Sequence, residues 1–152
     1  MNKIAEQAVC TFLDWDSTFF GLRIARLNLF RLDASSCRRA LSWCRENKID
    51  CLYFLADPDD SETVQQAQQN DFRHTDVRVT LGRTLKGGET ISADFPEGVR
   101  LGNKADLASL REIARTGHQD TRFYADPHFE RSKCALLYQT WLEKSFEEFA
   151  QA

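Results

Sequence analysis

The stretch LRIARLNLFRLDASSCRRALSWCRENKIDCLYFLA, residues 22–56, decides the predicted fold. Its first nine residues alternate loosely between apolar and polar side chains, which is typical of a strand buried on one face. Asp33 then predicts the start of a helix, and Asn47 predicts its end in a left-handed conformation. Residues 49–56 form a nearly continuous apolar run, as in an interior strand. Strand, helix and strand in this order predict an α/β arrangement with parallel pairing.

The pattern continues for one more helix and one more strand. Residues 60–70 predict a polar helix capped by Asp60 or Ser61, and the alternating stretch after it predicts a strand. The inward-facing side chains of that strand are expected to be Val77, Val79 and Leu81. We therefore expect an N-terminal α/β domain over residues 1–85, followed by a glycine-containing linker over residues 86–96.

Residues 97–152 predict a short strand, GVRLG, and two helices. Asn103 and Asp106 have the spacing of a capping box at the first helix, which Gly117 ends. The second helix carries a broad apolar face: Leu137 or Tyr138, Trp141, Leu142, Phe146 and Phe149. A strand and two helices cannot bury their own apolar faces, so we expect this face to be covered by the first half, by another chain or by further sequence.

Composition excludes several classes of function. The net charge of −3 and the pI near 5.6 argue against nucleic-acid binding, which needs a concentrated basic surface. The sequence has no apolar run of membrane-spanning length and no signal peptide at its start, so we expect a cytoplasmic protein with no membrane partner. Five cysteines without a Cys-x-x-Cys pair indicate buried free thiols, and the three histidines lack metal-ligand spacing. We expect no metal.

The stretch LDWDSTFFG, residues 13–21, is unusually aromatic. Asp14 and Asp16 predict a turn, and Gly21 lets the chain bend into the following strand. We expect the three aromatic side chains to fill the core, and ligand stacking is the alternative: Trp15, Phe19 and Phe20.

Catalytic motifs are missing, and no catalytic or cofactor-binding residue can be assigned. The strongest candidate site is the loop TRFYADPHF, residues 121–129. Arg122 could bind a phosphate or carboxylate, Phe123 and Tyr124 could stack on a base or sugar, and Asp126 or His128 could orient a hydroxyl. The alternative is structural. Phe123 and Phe129 would then fix the loop to the next helix, and Asp126-Pro127 would start that helix.

Several strings resemble the GNAT superfamily of N-acetyltransferases, and most closely its aminosugar acetyltransferases of the dTDP-fucosamine type. The resemblance rests on Asp106-Leu107 opening a helix, on Arg122-Phe123 in a loop and on a helix containing Tyr138 and Trp141. It extends to the aromatic run from Trp15 to Gly21. The resemblance implies a mixed sheet flanked by helices: an incomplete or degenerate GNAT unit, then the first strand and two helices of a GNAT domain.

The same resemblance implies a function for the whole enzyme, the transfer of an acetyl group from acetyl-CoA to a nucleotide-linked aminosugar. Arg122, Phe123, Tyr124 and Asp126 would line the acceptor site. The glycine-rich cofactor loop of the family has no counterpart in these 152 residues, so we expect this chain alone to bind no acetyl-CoA and to be inactive. The alternative function is a non-catalytic binding or assembly module, for instance a homodimer, that uses the apolar face of the last helix.

Overall fold

The computed structural model describes residues 8–84, 87 and 95–147. The chain divides into two compact units, Met1–His74 and Thr75–Ala152, which are described separately below. In the described ranges the structure is α+β, with one three-stranded mixed sheet and six α-helices. The mixed fold predicted from the sequence is therefore confirmed. None of the helices in these ranges combines the length and apolarity that a membrane crossing requires.

The first unit is built on a sheet of three short strands, β1 (Cys10–Phe12), β2 (Ile24–Leu27) and β3 (Cys51–Tyr53), in the order β1-β2-β3. β2 and β3 are parallel, as the strand–helix–strand pattern predicted, and Ala25 lies opposite Leu52. β1 is antiparallel to β2, with Cys10 opposite Leu27. The sequence did not indicate β1, because three residues are too few for an alternating pattern to stand out.

The aromatic stretch after β1 is a helix, α1 (Asp14–Phe20), and the predicted turn is wrong. Gly21 ends α1 in the left-handed conformation at φ 72°, and its N–H donates to the Ser17 carbonyl. Phe20 is buried, which confirms its place in the core, whereas Trp15 is 37% exposed. Trp15 stacks on Phe19 with ring centroids 5.1 Å apart, so these two rings cover the side of α1 instead of filling the interior.

Helix α2 (Ala34–Glu46) begins where the sequence predicted. The Asp33 carboxylate accepts from the Ser36 N–H at 2.7 Å, and the Ser36 hydroxyl accepts from the Asp33 N–H, which completes a capping box. The predicted helix end is wrong in detail. Asn47 has φ −95° and instead donates its side-chain amide to the Trp43 carbonyl, and Lys48 takes the left-handed conformation at φ 52°.

Helix α2 packs on the sheet and forms the core of the first unit. The buried core residues come from β1, β2, the segment before α2 and α2 itself: Cys10, Leu27, Leu32, Cys37 and Ala40. Helix α3 (Ser61–Gln69) is capped by Asp60, whose carboxylate accepts from the Thr63 N–H. Thr63 is fully buried and accepts from the Leu32 N–H at 2.7 Å, which ties α3 to the chain entering α2.

Two predicted strands are absent from the described residues. Residues 73–84 have no strand, and Val77, Val79 and Leu81 are 68%, 72% and 91% exposed instead of inward-facing. Residues 97–102 also have no strand, and Val99 and Leu101 are exposed. Alternation produces a one-faced strand only when a neighbouring strand supplies hydrogen bonds, and none does so here. The predicted linker 86–96, apart from residues 87, 95 and 96, lies outside the described residues.

The second unit is helical in its described part. A 3-10 turn (Lys104–Asp106) leads into α4 (Leu107–Thr116), and α5 (Arg122–Ala125) and α6 (Arg131–Phe146) follow. The predicted capping box is confirmed, since Asn103 accepts from Ala105 and Asp106 accepts from the Asn103 N–H. Gly117 follows α4 as predicted, and a side chain there would meet the Ile113 carbonyl oxygen at 2.8 Å.

Helix α6 packs against α4 and α5. Part of its apolar face is thereby covered within the unit: Leu137 and Tyr138 are buried, whereas Trp141 remains exposed at its outer edge. The predicted contribution of Phe149 lies outside the described residues. Six of the residues described in this unit are buried: Ala114, Phe123, Phe129, Cys134, Leu137 and Tyr138.

Candidate functional site

The predicted loop contains helix α5, a single turn between α4 and α6. The Thr121 carbonyl oxygen accepts from the Tyr124 and Ala125 N–H groups, both at 2.9 Å, and this forms the turn. The turn points successive side chains in different directions. It therefore separates the predicted site residues into one that faces the core and others that reach the surface.

Phe123 is the side chain that faces the core. It is 2% exposed, and its ring meets Phe129 edge-on at 5.5 Å and Trp141 at 6.4 Å. Its carbonyl oxygen accepts a hydrogen bond from the Cys134 thiol of α6 at 3.3 Å. In the structure Phe123 thus anchors α5 to α6, and its ring faces are not open for stacking on a ligand.

Arg122 and Tyr124, in contrast, are half-buried. The Arg122 guanidinium lies over the Phe123 ring at 4.5 Å from its centroid. The Arg131 guanidinium, from the first turn of α6, lies over the Tyr124 ring at 5.2 Å. Arg115 from the last turn of α4 is also within electrostatic range of Tyr124. We call these four residues the Tyr124 patch: Arg115, Arg122, Tyr124 and Arg131.

One charge of the Tyr124 patch is balanced by a neighbouring carboxylate. Arg115 forms a two-fold contact with Glu112, through Nε at 2.9 Å and Nη2 at 2.5 Å, and this contact raises the pKa of Arg115 and lowers the pKa of Glu112. Arg131 is exposed. A tyrosine ring bordered by guanidinium groups can hold a phosphorylated ligand, since guanidinium matches phosphate oxygens and the ring packs on a sugar or base.

Asp126 lies just beyond this surface. Its Oδ1 accepts from the His128 N–H at 3.0 Å and lies 2.7 Å from His128 Nδ1. One carboxylate oxygen thus orders the turn through Pro127 that carries the chain from α5 to Phe129. The predicted helix start at Asp126-Pro127 is wrong, because the next helix begins at Arg131 after Glu130. The predicted pairing of Asp126 with a hydroxyl stays a prediction.

A second group of polar contacts was not indicated by the sequence. The Tyr138 hydroxyl donates to Thr121 Oγ1 at 2.7 Å, and its ring stacks on His118 with centroids 4.5 Å apart. Burial raises the pKa of Tyr138, so the phenol stays protonated at neutral pH and holds the N-terminal side of α5. Apolar spacing in α6 placed Tyr138 on the buried face, but no sequence signal pairs it with Thr121 or His118.

Helices α2 and α3 do not offer an open N-terminus to an acetyl-CoA pyrophosphate. They begin at the carboxylates of Asp33 and Asp60. Those carboxylates already accept the amide hydrogen bonds that a pyrophosphate would need, and they repel its charge. Across residues 8–84, 87 and 95–147, no cluster of three potential metal ligands occurs.

Comparison of the chain with known protein families, with curated proteins and with solved structures gives no match. Of the four residues predicted to line it, Arg122 and Tyr124 reach the surface together, Phe123 supports them from inside, and Asp126 orders the turn that follows.

Proposed function

We propose that the chain is the acceptor-binding portion of a GNAT-type N-acetyltransferase that acts on a nucleotide-linked aminosugar. The Tyr124 patch would hold the phosphate-bearing part of the acceptor. Acetyl-CoA would be bound elsewhere than at the N-termini of α2 and α3, because carboxylates cap both helices. By itself the chain would bind the acceptor and transfer no acetyl group.

The observation that supports this proposal best is the gathering of guanidinium groups around one half-buried tyrosine. Arg131 lies over the Tyr124 ring, Arg115 of α4 is within electrostatic range of Tyr124, and Arg122 of α5 lies over the neighbouring Phe123 ring. Helices α4 and α6 therefore bring guanidinium groups toward one aromatic side chain of α5, in a chain whose net charge is −3. A diphosphate linked to a sugar combines the two chemical features that this surface can bind.

Support from the interior makes the patch a pre-formed surface. Phe123 is buried between Phe129 and Trp141, and Tyr138 holds Thr121, so both sides of α5 are fixed to α6. A ligand that binds to such a surface loses less free energy in ordering the protein. Arg122 and Tyr124 are thus presented on a short but anchored turn.

Calorimetric titration of the chain with a nucleotide-linked aminosugar tests the proposal. We expect saturable binding that Arg122→Ala weakens about tenfold, as for loss of one charge-assisted contact. Arg38→Ala is the matched control because Arg38 is an exposed helix arginine of the first unit, and it should leave the affinity unchanged. Absence of binding by the unmodified chain, or equal weakening by both substitutions, would contradict the proposal.

The second candidate function is an assembly module. It is favoured by the apolar side chains that remain exposed on α6. Leu136 and Trp141 are 51% and 39% exposed, although Leu137 and Tyr138 are covered within the unit. Analytical ultracentrifugation separates the two functions. A concentration-independent monomer contradicts assembly through this face, whereas a dimer that Trp141→Ala dissociates would support it.

A further inference from the structure

The sheet of the first unit has an open edge along β3. β3 is the last strand in the order β1-β2-β3, and β2 is its partner in the described part of the chain. The Cys51 N–H donates to the Arg23 carbonyl oxygen at 3.2 Å, on the β2 side. Because successive residues of a strand point their backbone groups to opposite sides, the Leu52 N–H and C=O point away from β2. No hydrogen bond from the described residues reaches these two groups.

Apolar side chains at the same edge are only half covered. Leu52 and Phe54 pack against the buried cluster of the first unit but are themselves half-buried, and Leu55 just beyond β3 is exposed. Ala25, which lies opposite Leu52 on the central strand, is fully buried. A further strand beside β3 would therefore bury apolar surface that the three-stranded sheet leaves accessible to water.

Residues 77–81 have the pattern of such a strand. In an extended conformation Val77, Val79 and Leu81 share one side, and Arg78 and Thr80 the other. The three apolar side chains are exposed, and the backbone of residues 78–81 forms no hydrogen bond with the parts of the chain that the structure describes. A segment of this kind is stabilised when its backbone pairs with a sheet edge and its apolar side is buried there.

The charges around the edge and along the segment are opposite. Residues 49–60 contain four aspartates and no basic residue, and Arg31 pairs with one of them, Asp57, at 3.0 Å. Residues 73–83 contain three arginines and one aspartate. Complementary charges favour this pairing and disfavour an acidic partner strand. The edge of β3 therefore suits a basic strand with alternating apolar side chains, and the chain itself contains one.

We propose that the edge of β3 is an interface at which residues 77–81 of a second copy of this chain add a fourth strand. Each copy offers one edge and one segment, so reciprocal pairing closes a dimer. The interface uses none of the residues of the Tyr124 patch and does not depend on the acetyltransferase proposal. Short strands bury little area, so the dimer should be weak and the chain monomeric at the low concentrations of unfolding experiments.

Sedimentation equilibrium tests the dimer. We expect a monomer–dimer equilibrium at concentrations up to about 1 mM, and Val79→Asp should weaken it at least about tenfold, because the aspartate would be buried without a partner. Val79 is 72% exposed in one copy, so this substitution should leave the fold of the monomer intact. Val99→Asp is the matched control, since Val99 is an exposed valine outside the segment. A monomer at every concentration, or equal weakening by both substitutions, would overturn the proposal.

Hydrogen exchange locates the contact on the sheet. The Leu52 amide should exchange more slowly as the fraction of dimer rises, whereas the Cys51 amide, already bonded to Arg23, should change little. Exchange at Leu52 that is independent of concentration in a dimeric sample would overturn the proposal.

A further variant separates this interface from assembly through α6. Trp141→Ala should leave the dimer intact, since Trp141 is not part of the β3 edge or of residues 77–81. A dimer that dissociates with Trp141→Ala and persists with Val79→Asp would place the association at α6 and overturn the proposal.

Discussion

The two units reach a stable interior by different routes. The first packs one helix on a short sheet around aliphatic and small side chains such as Leu32, Cys37 and Ala40. The second has no sheet in its described residues and buries two aromatic rings, Phe123 and Phe129, with the partly exposed ring of Trp141 at their edge. A core that contains large aromatic rings should depend on each ring more strongly than a core of mostly aliphatic and small side chains depends on any one of them.

The largest effect should follow removal of the central ring of the second unit. Phe123→Ala leaves a cavity beside Phe129 and Trp141 and should lower the free energy of unfolding by about 4 kcal/mol, as measured by urea denaturation. Tyr124→Ala in the same helical turn removes a half-buried ring and should lower the free energy of unfolding clearly less. Equal losses for the two variants would mean that Phe123 does not anchor α5.

Phe20→Ala in the first unit should lower the free energy of unfolding by a smaller amount. Phe20 is 5% exposed but lies at the end of the short helix α1, so a loss of about 3 kcal/mol is expected from chemical denaturation. Trp15→Ala is the control in the same helix, because Trp15 is 37% exposed and should cost about 1 kcal/mol. A neutral Phe20→Ala would return the aromatic stretch to the ligand-stacking interpretation.

The cap of α2 should make the first unit sensitive to acid. Hydrogen bonds from the Ser36 N–H and hydroxyl and from Ser35 hold the pKa of Asp33 at about 2, below its ordinary 3.8. A pKa that is lower in the folded state gives stability that is present above the unfolded value and is lost as the pH falls from about 4 to about 2.

Asp33→Asn isolates this titration, since asparagine caps a helix equally well and carries no ionisable carboxyl. Thermal melts at several pH values should show the unmodified chain losing a few degrees relative to Asp33→Asn over the same acidic interval. Melting curves that stay parallel across this interval would show that the Asp33 carboxylate contributes nothing to stability.

The smallest effect is expected at the exposed segment of the second unit. Val79 is 72% exposed, so Val79→Thr should change the free energy of unfolding by less than about 0.5 kcal/mol. A loss of 2 kcal/mol or more in urea denaturation would instead restore the predicted inward-facing strand at residues 77–81.

Interactions between residues close in the sequence were predicted correctly, whereas a strand that depends on a distant segment was not. The caps at Asp33 and Asn103 were predicted correctly because each is made within three residues of the chain. The strand containing Val79 was predicted from alternation alone, but a strand exists only if a distant segment pairs with it. The helix α1 was missed because its seven residues, two of them aspartates, are too few to show the helical repeat of apolar residues.

The candidate site shows the same limit. Arg122 and Tyr124 were predicted as site residues because they lie two positions apart in one loop. It could not place Arg115 and Arg131 beside Tyr124, since these residues come from the end of α4 and the start of α6. Nor could it decide between the stacking and anchoring roles of Phe123, which depend on the contact of its ring with Trp141.

The most direct test of the proposed acceptor site is to locate the bound ligand on the chain. Backbone amide signals recorded by NMR during titration with a nucleotide-linked aminosugar should shift at Arg115, Arg122, Tyr124 and Arg131, and those of the sheet residues Ala25 and Leu52 should stay in place. Saturating shifts confined to the Tyr124 patch are the predicted result. No shifts at saturating ligand, or shifts centred elsewhere, would contradict the assignment of this surface as the acceptor site.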